Sequence, residues 1–278
     1  VVVCALFYCW LSGFFEVMAF LYHVCSFMVM DNTLSMLNRA FIYGDLLFET
    51  IKVEHGKPLL ARLHYNRLIS SARLLRFDTG LTFETFIQQI EHHTAGQNRA
   101  RVRFLLHRNA GGFYTPEHNG TGFLIEVFPL PETRKERLRI GLYTDQYKPC
   151  HELSNLKSGN ALVYVMAGIW AKENGFDDAV ILNEHGCVCE ATSSNIFIVK
   201  DEKVYTPALT EGCVDGVMRA HVIAELKQND YVIHETVLTV EQLEQADAVF
   251  LTSAIAGTVG VSAFGSRSYS SPDRQLIS

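Results

Sequence analysis

The chain has 278 residues and a mass of 31.3 kDa, enough for one large domain or two modest ones, each with its own core. Its 48% hydrophobic and 19% charged content exclude a disordered chain or a coiled coil, and a net charge of -6 excludes the basic surface of a nucleic-acid binder. Seven scattered cysteines are too few for a disulfide scaffold, and their odd number leaves one over, so reduced thiols in a cytoplasm are expected.

In chain order, residues 1–30 come first and are almost continuously apolar, broken mainly by Glu16 and His23, with no Lys or Arg before Arg39. That length matches the ~20 residues of a membrane crossing, yet the basic front and cleavage site of a signal peptide are missing. Three readings compete for residues 1–29: a membrane anchor, a buried extension, or residues that precede the natural start, since Met28, Met30 and Met36 stand just before an ordinary sequence. Alternation predicts a strand over 40–53, the His55-Gly56 pair a turn, and helical spacing two helices over 60–75 and 83–93. Strands follow at 100–107 and 122–128, around a Gly, Asn and Pro loop at 109–120, and the charged run 129–137 reads as a linker. Beyond it come a strand (138–143), a helix (159–173), a strand (178–183), and short strands near Val188, 195–199 and 203–205. A helix over 216–228 and strands at 231–235 and 248–252 end the pattern. Mixed elements in two blocks indicate an α/β (α+β) protein, with a small α/β domain over 30–131 and a larger one over 132–278.

The common fingerprints are absent: no Gly-x-Gly-x-x-Gly after a strand, no P-loop lysine and no Gly-x-Ser-x-Gly elbow. Cys187-x-Cys189 has no second ligand pair at finger-like spacing, and His92-His93 sits on a polar helix face, so no metal is expected. Three features carry chemistry. Lys157 lies in a small polar turn before an apolar helix, where partial desolvation would free its amine for carbonyl chemistry; a surface lysine is the simpler reading of that segment alone. Glu190 stands between apolar strand residues and a Ser/Thr/Asn cluster, and a carboxylate in such a place needs a partner. Residues 211–219 form a glycine-bearing loop opening onto a helix, whose free N–H groups suit an anion such as phosphate.

Taken in order, Phe41-Ile42-Tyr43-Gly44-Asp45-Leu46-Leu47-Phe48-Glu49-Thr50, His64-Tyr65-Asn66-Arg67-Leu68, the Lys157 segment, residues 190–197, Gly216-Val217-Met218-Arg219 and residues 250–257 resemble the class IV aminotransferases. These are pyridoxal 5'-phosphate (PLP) enzymes of fold type IV, the two-domain D-amino-acid aminotransferase-like fold. The resemblance implies that Lys157 is the Schiff-base lysine, that Glu190 pairs with the pyridine nitrogen, and that Arg67 grips the cofactor phosphate with the amides of Val217 and Met218. Ser253 and Ala254 fall where the family offers a further phosphate ligand; with Ala254 there, only backbone or a neighbouring Thr252 or Ser253 hydroxyl could serve. It also implies a small-molecule amino substrate and a homodimer.

Within the family, branched-chain aminotransferases carry a tyrosine five residues after the lysine, where this chain has Leu162; Tyr164 is out of register and is not promoted. Leu162 and Thr50 resemble instead the 4-amino-4-deoxychorismate lyases, which release pyruvate and 4-aminobenzoate, with D-amino-acid or branched-chain aminotransferase as the alternative. In the lyase reading Lys157 moves the proton, and the Thr50 hydroxyl bonds near the reacting centre or simply packs in its strand. Arg103 or Arg108 would bind a substrate carboxylate, with surface arginine the competing reading for at least one. A non-catalytic, membrane-anchored binding module is the second alternative, and would require residues 1–29 to be a genuine anchor.

Overall fold

The computed structural model of the chain describes residues 38–130 and 135–272. The apolar stretch 1–29, with every reading given for it, and part of the expected linker lie outside the described residues.

The first element departs from the strand expected over 40–53. Asn38 caps a short helix, α1 (Arg39–Tyr43), its Oδ1 accepting from the Ala40 amide at 2.8 Å. Gly44 stops that helix in the left-handed region at φ 65°, and only then does β1 (Leu46–Glu54) begin. After the turn at His55-Gly56 come β2 (Lys57–Pro58), α2 (Ala61–Leu74) and α3 (Phe83–His93). The long strands β3 (Arg99–Arg108) and β4 (Thr121–Phe128) complete an antiparallel sheet in the order β2-β1-β3-β4.

β1 and β3 alternate buried with half-buried positions, the pattern of a sheet with one covered face. Leu47, Ile51, Val102 and Phe104 pack under Leu68 of α2 and Phe86 of α3. Along β1 one residue breaks the apolar series on that face, the buried Glu49. The opposite face carries Phe48, Thr50, Arg101 and Arg103, with Thr50 opposite Arg103 across the ladder and Lys52 opposite Arg101.

The larger sheet is laid down by β5 (Arg137–Lys148), β6 (Asp178–Asn183), β7 (Val188–Ala191), β8 (Asn195–Lys200) and β9 (Lys203–Pro207), then β10 (Ile233–Thr236), β11 (Ala248–Ser253) and β12 (Gly257–Phe264). Its order is β10-β9-β8-β11-β12-β5-β6-β7, and a short β13 (Arg267–Ser268) pairs with β12. β5 and β6 run parallel, joined through α4 (Leu162–Glu173), whose Ala167 and Ala171 sit on Tyr143 and Ile181. α5 (Val217–Gln228) covers Phe197 and Phe250 through Val222 and Leu226, and α6 (Val240–Glu244) is closed by a Thr239/Gln242 capping box. β12 was not expected. Its Gly257, Gly260, Ser262 and Ala263 dilute the apolar period, yet it lies between β11 and β5 in the middle of the sheet. No helix among the described residues is long and apolar enough to cross a membrane.

The two sheets meet where residues 157–159 run beside the start of β1. Phe48 N donates to Lys157 O at 2.9 Å and Gly159 N to Leu46 O at 3.1 Å. The approach requires glycine: a Cβ on Gly159 would lie 2.9 Å from Leu46 Cγ and 3.1 Å from Gly44 O. The lysine turn is thereby fastened to the small sheet.

Candidate active site

At this junction lies a cavity of about 1200 Å³, lined from both sheets. Lys157 projects into it, with Nζ 4.5 Å from the centre of the Phe48 ring. Burial first, and then the Arg67 charge, pull its ammonium down to about 8, against the opposing pull of Glu49 and Glu190. About a tenth of Lys157 is therefore free amine at pH 7, several hundred-fold more than for a surface lysine.

Arg67 reaches the cavity because Glu49 orients it. His64 and Arg67, three apart on α2, converge on the one carboxylate of the helix-covered face. His64 Nδ1 lies 2.6 Å from Glu49 Oε2, Arg67 Nε donates to Oε1 at 2.8 Å, and Arg67 Nη2 closes a bidentate pair on Oε2. Burial would raise the Glu49 carboxyl, but Arg67 and His64 outweigh it and hold it down at about 2. Arg67 Nη1 also donates to Asp215 O at 2.9 Å, which sets the guanidinium beside the start of α5.

Glu190 enters from β7 on the other side. Its Oε1 accepts from Lys148 Nζ and, at 2.7 Å, from the Tyr164 hydroxyl, while Oε2 accepts from Val214 N at 2.9 Å. Three donors fix its orientation, and it lines the cavity. Burial and the Glu190 charge push the Tyr164 phenol well above its usual range, so it stays a donor.

The far end of the cavity suits an anion. α5 starts at Gly216 with no side-chain cap, leaving the first-turn amides of Val217 and Met218 open. Gly216 is needed there, since a Cβ would fall 1.9 Å from Asn195 Oδ1. Thr252, Ser253 and Ala254 line the same end; Thr252 Oγ1 is buried with no hydrogen-bond partner, and Ser253 Oγ accepts from Ala256 N at 3.2 Å. An orphaned hydroxyl, open helix amides and an oriented arginine at one end, with a fixed carboxylate and a buried amine beyond, fit a phosphate-bearing pyridine aldehyde such as PLP.

Thr50, Arg103 and Arg108 also line the cavity, but the two arginines differ. Arg108 donates through Nε to Asp45 at 2.9 Å, through Nη2 to Leu75 O at 2.9 Å, and through Nη1 to Asn119. Three fixed contacts tie it to Asp45, to the end of α2 and to the loop after β3. Arg103 pairs with Glu126 at 3.0 Å at the cavity rim. Sequence reasoning passed over Arg101, which shares the Thr50 face and whose Nε is buried without a partner. Alternation along 99–108 would have found it, because it puts Arg101 and Arg103 on one face.

Two readings on α4 change. Leu162 is 77% exposed at the helix start and does not line the cavity, so its identity says nothing about the chemistry. Tyr164, set aside as out of register, is the residue that reaches Glu190. Lys148 carried no signal in the sequence: a single lysine at a strand end looks like any solvated one.

Compared with known proteins, residues 46–264 match the amino-transferase class IV family. The chain is 31% identical over 237 residues to "Putative branched-chain-amino-acid aminotransferase" of Methanocaldococcus jannaschii, covering 83% of this chain and 82% of that protein. It is 29% identical to aminodeoxychorismate lyase of Vibrio harveyi, covering 81% of this chain and 85% of that one. The crystal structure of 4-amino-4-deoxychorismate lyase from Pseudomonas aeruginosa shares the fold with a TM-score of 0.81 at 24% identity, over 87% of this chain and 92% of that chain.

Proposed function

Because the chain belongs to the class IV aminotransferase family, whose enzymes work with PLP, we propose that it is a PLP-dependent 4-amino-4-deoxychorismate lyase. The observation that carries this reading is the pair Arg101 and Arg103 beside Thr50, on the face of the small sheet that lines the Lys157 cavity. Two guanidiniums on one wall suit a substrate with two carboxylates. Bound PLP supplies the electron sink for a carbanion next to the substrate amine. Lys157 holds the cofactor and, once released, takes the proton from the amine-bearing ring carbon as general base. The enolpyruvyl C–O bond then breaks, the ring becomes 4-aminobenzoate, and the proton reappears in pyruvate, so no co-reactant is consumed.

In this reading Arg67, the Val217 and Met218 amides and the Thr252 or Ser253 hydroxyl bind the phosphate, and Ala254 contributes backbone only. Glu190 accepts from the protonated ring nitrogen, and Thr50 bonds near the reacting carbon. Incubation with 4-amino-4-deoxychorismate should yield 4-aminobenzoate and pyruvate in equal amounts. Rapid conversion of the cofactor to its amine form by L- or D-amino acids, with no 4-aminobenzoate, would replace this reading with an aminotransferase. The Methanocaldococcus relative favours that second reading, and Leu162 no longer argues against it.

A homodimer in the cytoplasm is part of the same proposal. Leu162, Val165, Met166 and Ile169 form an exposed apolar stripe along α4, beside the rim of the cavity, as a subunit interface would. Sedimentation of a stable, fully active monomer would contradict it.

A further inference from the structure

At the end of β5 three segments distant in sequence come together: the chain leaving β5, the β6–β7 turn, and the 3-10 turn Leu209–Glu211. Cys150 Sγ, a carboxylate oxygen of Glu184 and a ring nitrogen of His185 all lie within 4.8 Å of one another. The turn is built to hold them. Asn183 is fully buried, and its Oδ1 accepts from the amides of His185 at 3.1 Å and Cys187 at 2.9 Å. Glu184 Oε1 accepts from the Cys150 amide at 2.7 Å, which brings its carboxylate to the thiol and leaves Oε2 open.

A second observation concerns charge. Glu211 is 9% exposed, its Oε2 accepts from Asn183 Nδ2 at 2.9 Å, and among the described residues it forms no ion pair. A buried carboxylate without a cation is costly. Glu211 and Glu184 thus bring two carboxyl groups to the two sides of the Asn183 turn.

We propose that Cys150, Glu184 and His185 form a binding site for a zinc ion. One sulfur, one imidazole nitrogen and one carboxylate oxygen are the donors zinc takes in tetrahedral coordination, with water to complete the set. The ion would turn Cys150 into a thiolate and answer the charge of Glu211. It would also clamp the β6–β7 turn to the segment after Lys148, whose carbonyl already accepts from Glu184 N at 2.9 Å. Cys187-x-Cys189 gave no such expectation, because Cys189 is buried in β7 and the partner thiol comes from 37 residues upstream of Cys187, at Cys150.

The full chain carrying PLP, freed of any tag, excess cofactor and metal, is titrated with Zn²⁺ against a coloured chelator and separately with Co²⁺. One ion per chain is expected, with a thiolate-to-cobalt charge-transfer band and a thermal midpoint raised by zinc. Cys150→Ser and His185→Ala should each weaken zinc by roughly 100-fold and abolish the zinc-induced rise in midpoint, while His92→Ala changes nothing. Cys150→Ser keeps the size of the side chain, and His185 is exposed, so a failure of the first variant to fold leaves the second as the test. Absence of stoichiometric binding, or binding that survives His185→Ala or Cys150→Ser, would overturn the site. PLP binding and turnover do not enter these readouts, so they stand or fall separately.

Discussion

Two buried carboxylates approach Lys157 from opposite sheets, and each accepts three hydrogen bonds. Glu49 lies on the helix-covered face of the small sheet, outside the cavity, and is answered by a bidentate arginine and an imidazole. Glu190 lines the cavity and is answered by one lysine and two neutral donors. The difference is access. Glu49 can act only through the arginine it orients, whereas Glu190 meets whatever enters the cavity. On the proposed reading, one positions a phosphate grip and the other is itself a ligand.

The largest effect should come from the residue between them. Lys157→Ala should lower turnover by roughly 10⁴-fold, checked by steady-state assay, and remove the colour that borohydride fixes on the Lys157 peptide. In the cofactor-free native chain, the rate of PLP capture should rise with pH through about 8 and level off above, as the amine is freed. Stability of that form should also rise between about 8 and 10.5, because there the unfolded lysine holds a proton that the buried one has lost. Lys157→Ala should lose that rise.

The two carboxylates separate by readout. Glu190→Gln should cut kcat on the order of 10²-fold at saturating PLP, since it weakens the proposed ligand for the ring nitrogen. Glu49→Gln should leave kcat at saturating PLP nearer normal but weaken PLP and cost about 3 kcal/mol of stability, because Arg67 loses its buried partner. The sign with pH follows from the depressed carboxyl. Glu49 contributes stability above 4.5, which is lost as pH falls through about 2, and urea midpoints over that window should flatten in the variant. If both variants lose kcat alone, the distinction drawn from access is wrong.

Much of this site could be read from the sequence, because its main residues sit at turns or in strands where local pattern marks them. Lys157 lies before a helix, Glu190 interrupts an apolar strand, and Gly216 opens a helix; all three end in one cavity. What stayed hidden depends on packing between segments. Lys148 and Tyr164 matter only because β5 and α4 both flank β7's carboxylate, and no spacing encodes that meeting. Leu162 misled for the opposite reason: counting from the lysine ignores that α4 begins at that residue and points its side chain outward. Similarly, Asn38 and Gly44 turned part of an expected strand into a capped helix.

Across the cavity, the arginines sharpen the contrast on the substrate side. Arg101 is buried in part and unpartnered at Nε, and burial with the neighbouring Arg103 charge pulls it below its usual range, as an arginine awaiting an anion should be. Arg101→Ala should raise KM by roughly 30-fold, against about 3-fold for the rim residue in Arg103→Ala, with kcat changed less in both. Equal effects would mean that the two contribute to one diffuse field and that neither grips a particular carboxylate.

The smallest effect tests how firmly Glu190 is held. Tyr164→Phe keeps the ring, which lies 5.2 Å from Lys148 Nζ, and removes only the hydroxyl that donates to Glu190 Oε1. Loss of one donor to a carboxylate is worth about 1.5 kcal/mol, or roughly tenfold. That loss should fall on kcat, with PLP affinity and thermal midpoint nearly unchanged, because Lys148 and Val214 still hold the carboxylate in place. A Phe variant with native kcat would show that those two suffice and that Tyr164 only fills space. A variant that loses PLP and midpoint together would make the tyrosine part of the β7–α4 packing, leaving Glu190 no more finely placed than Glu49.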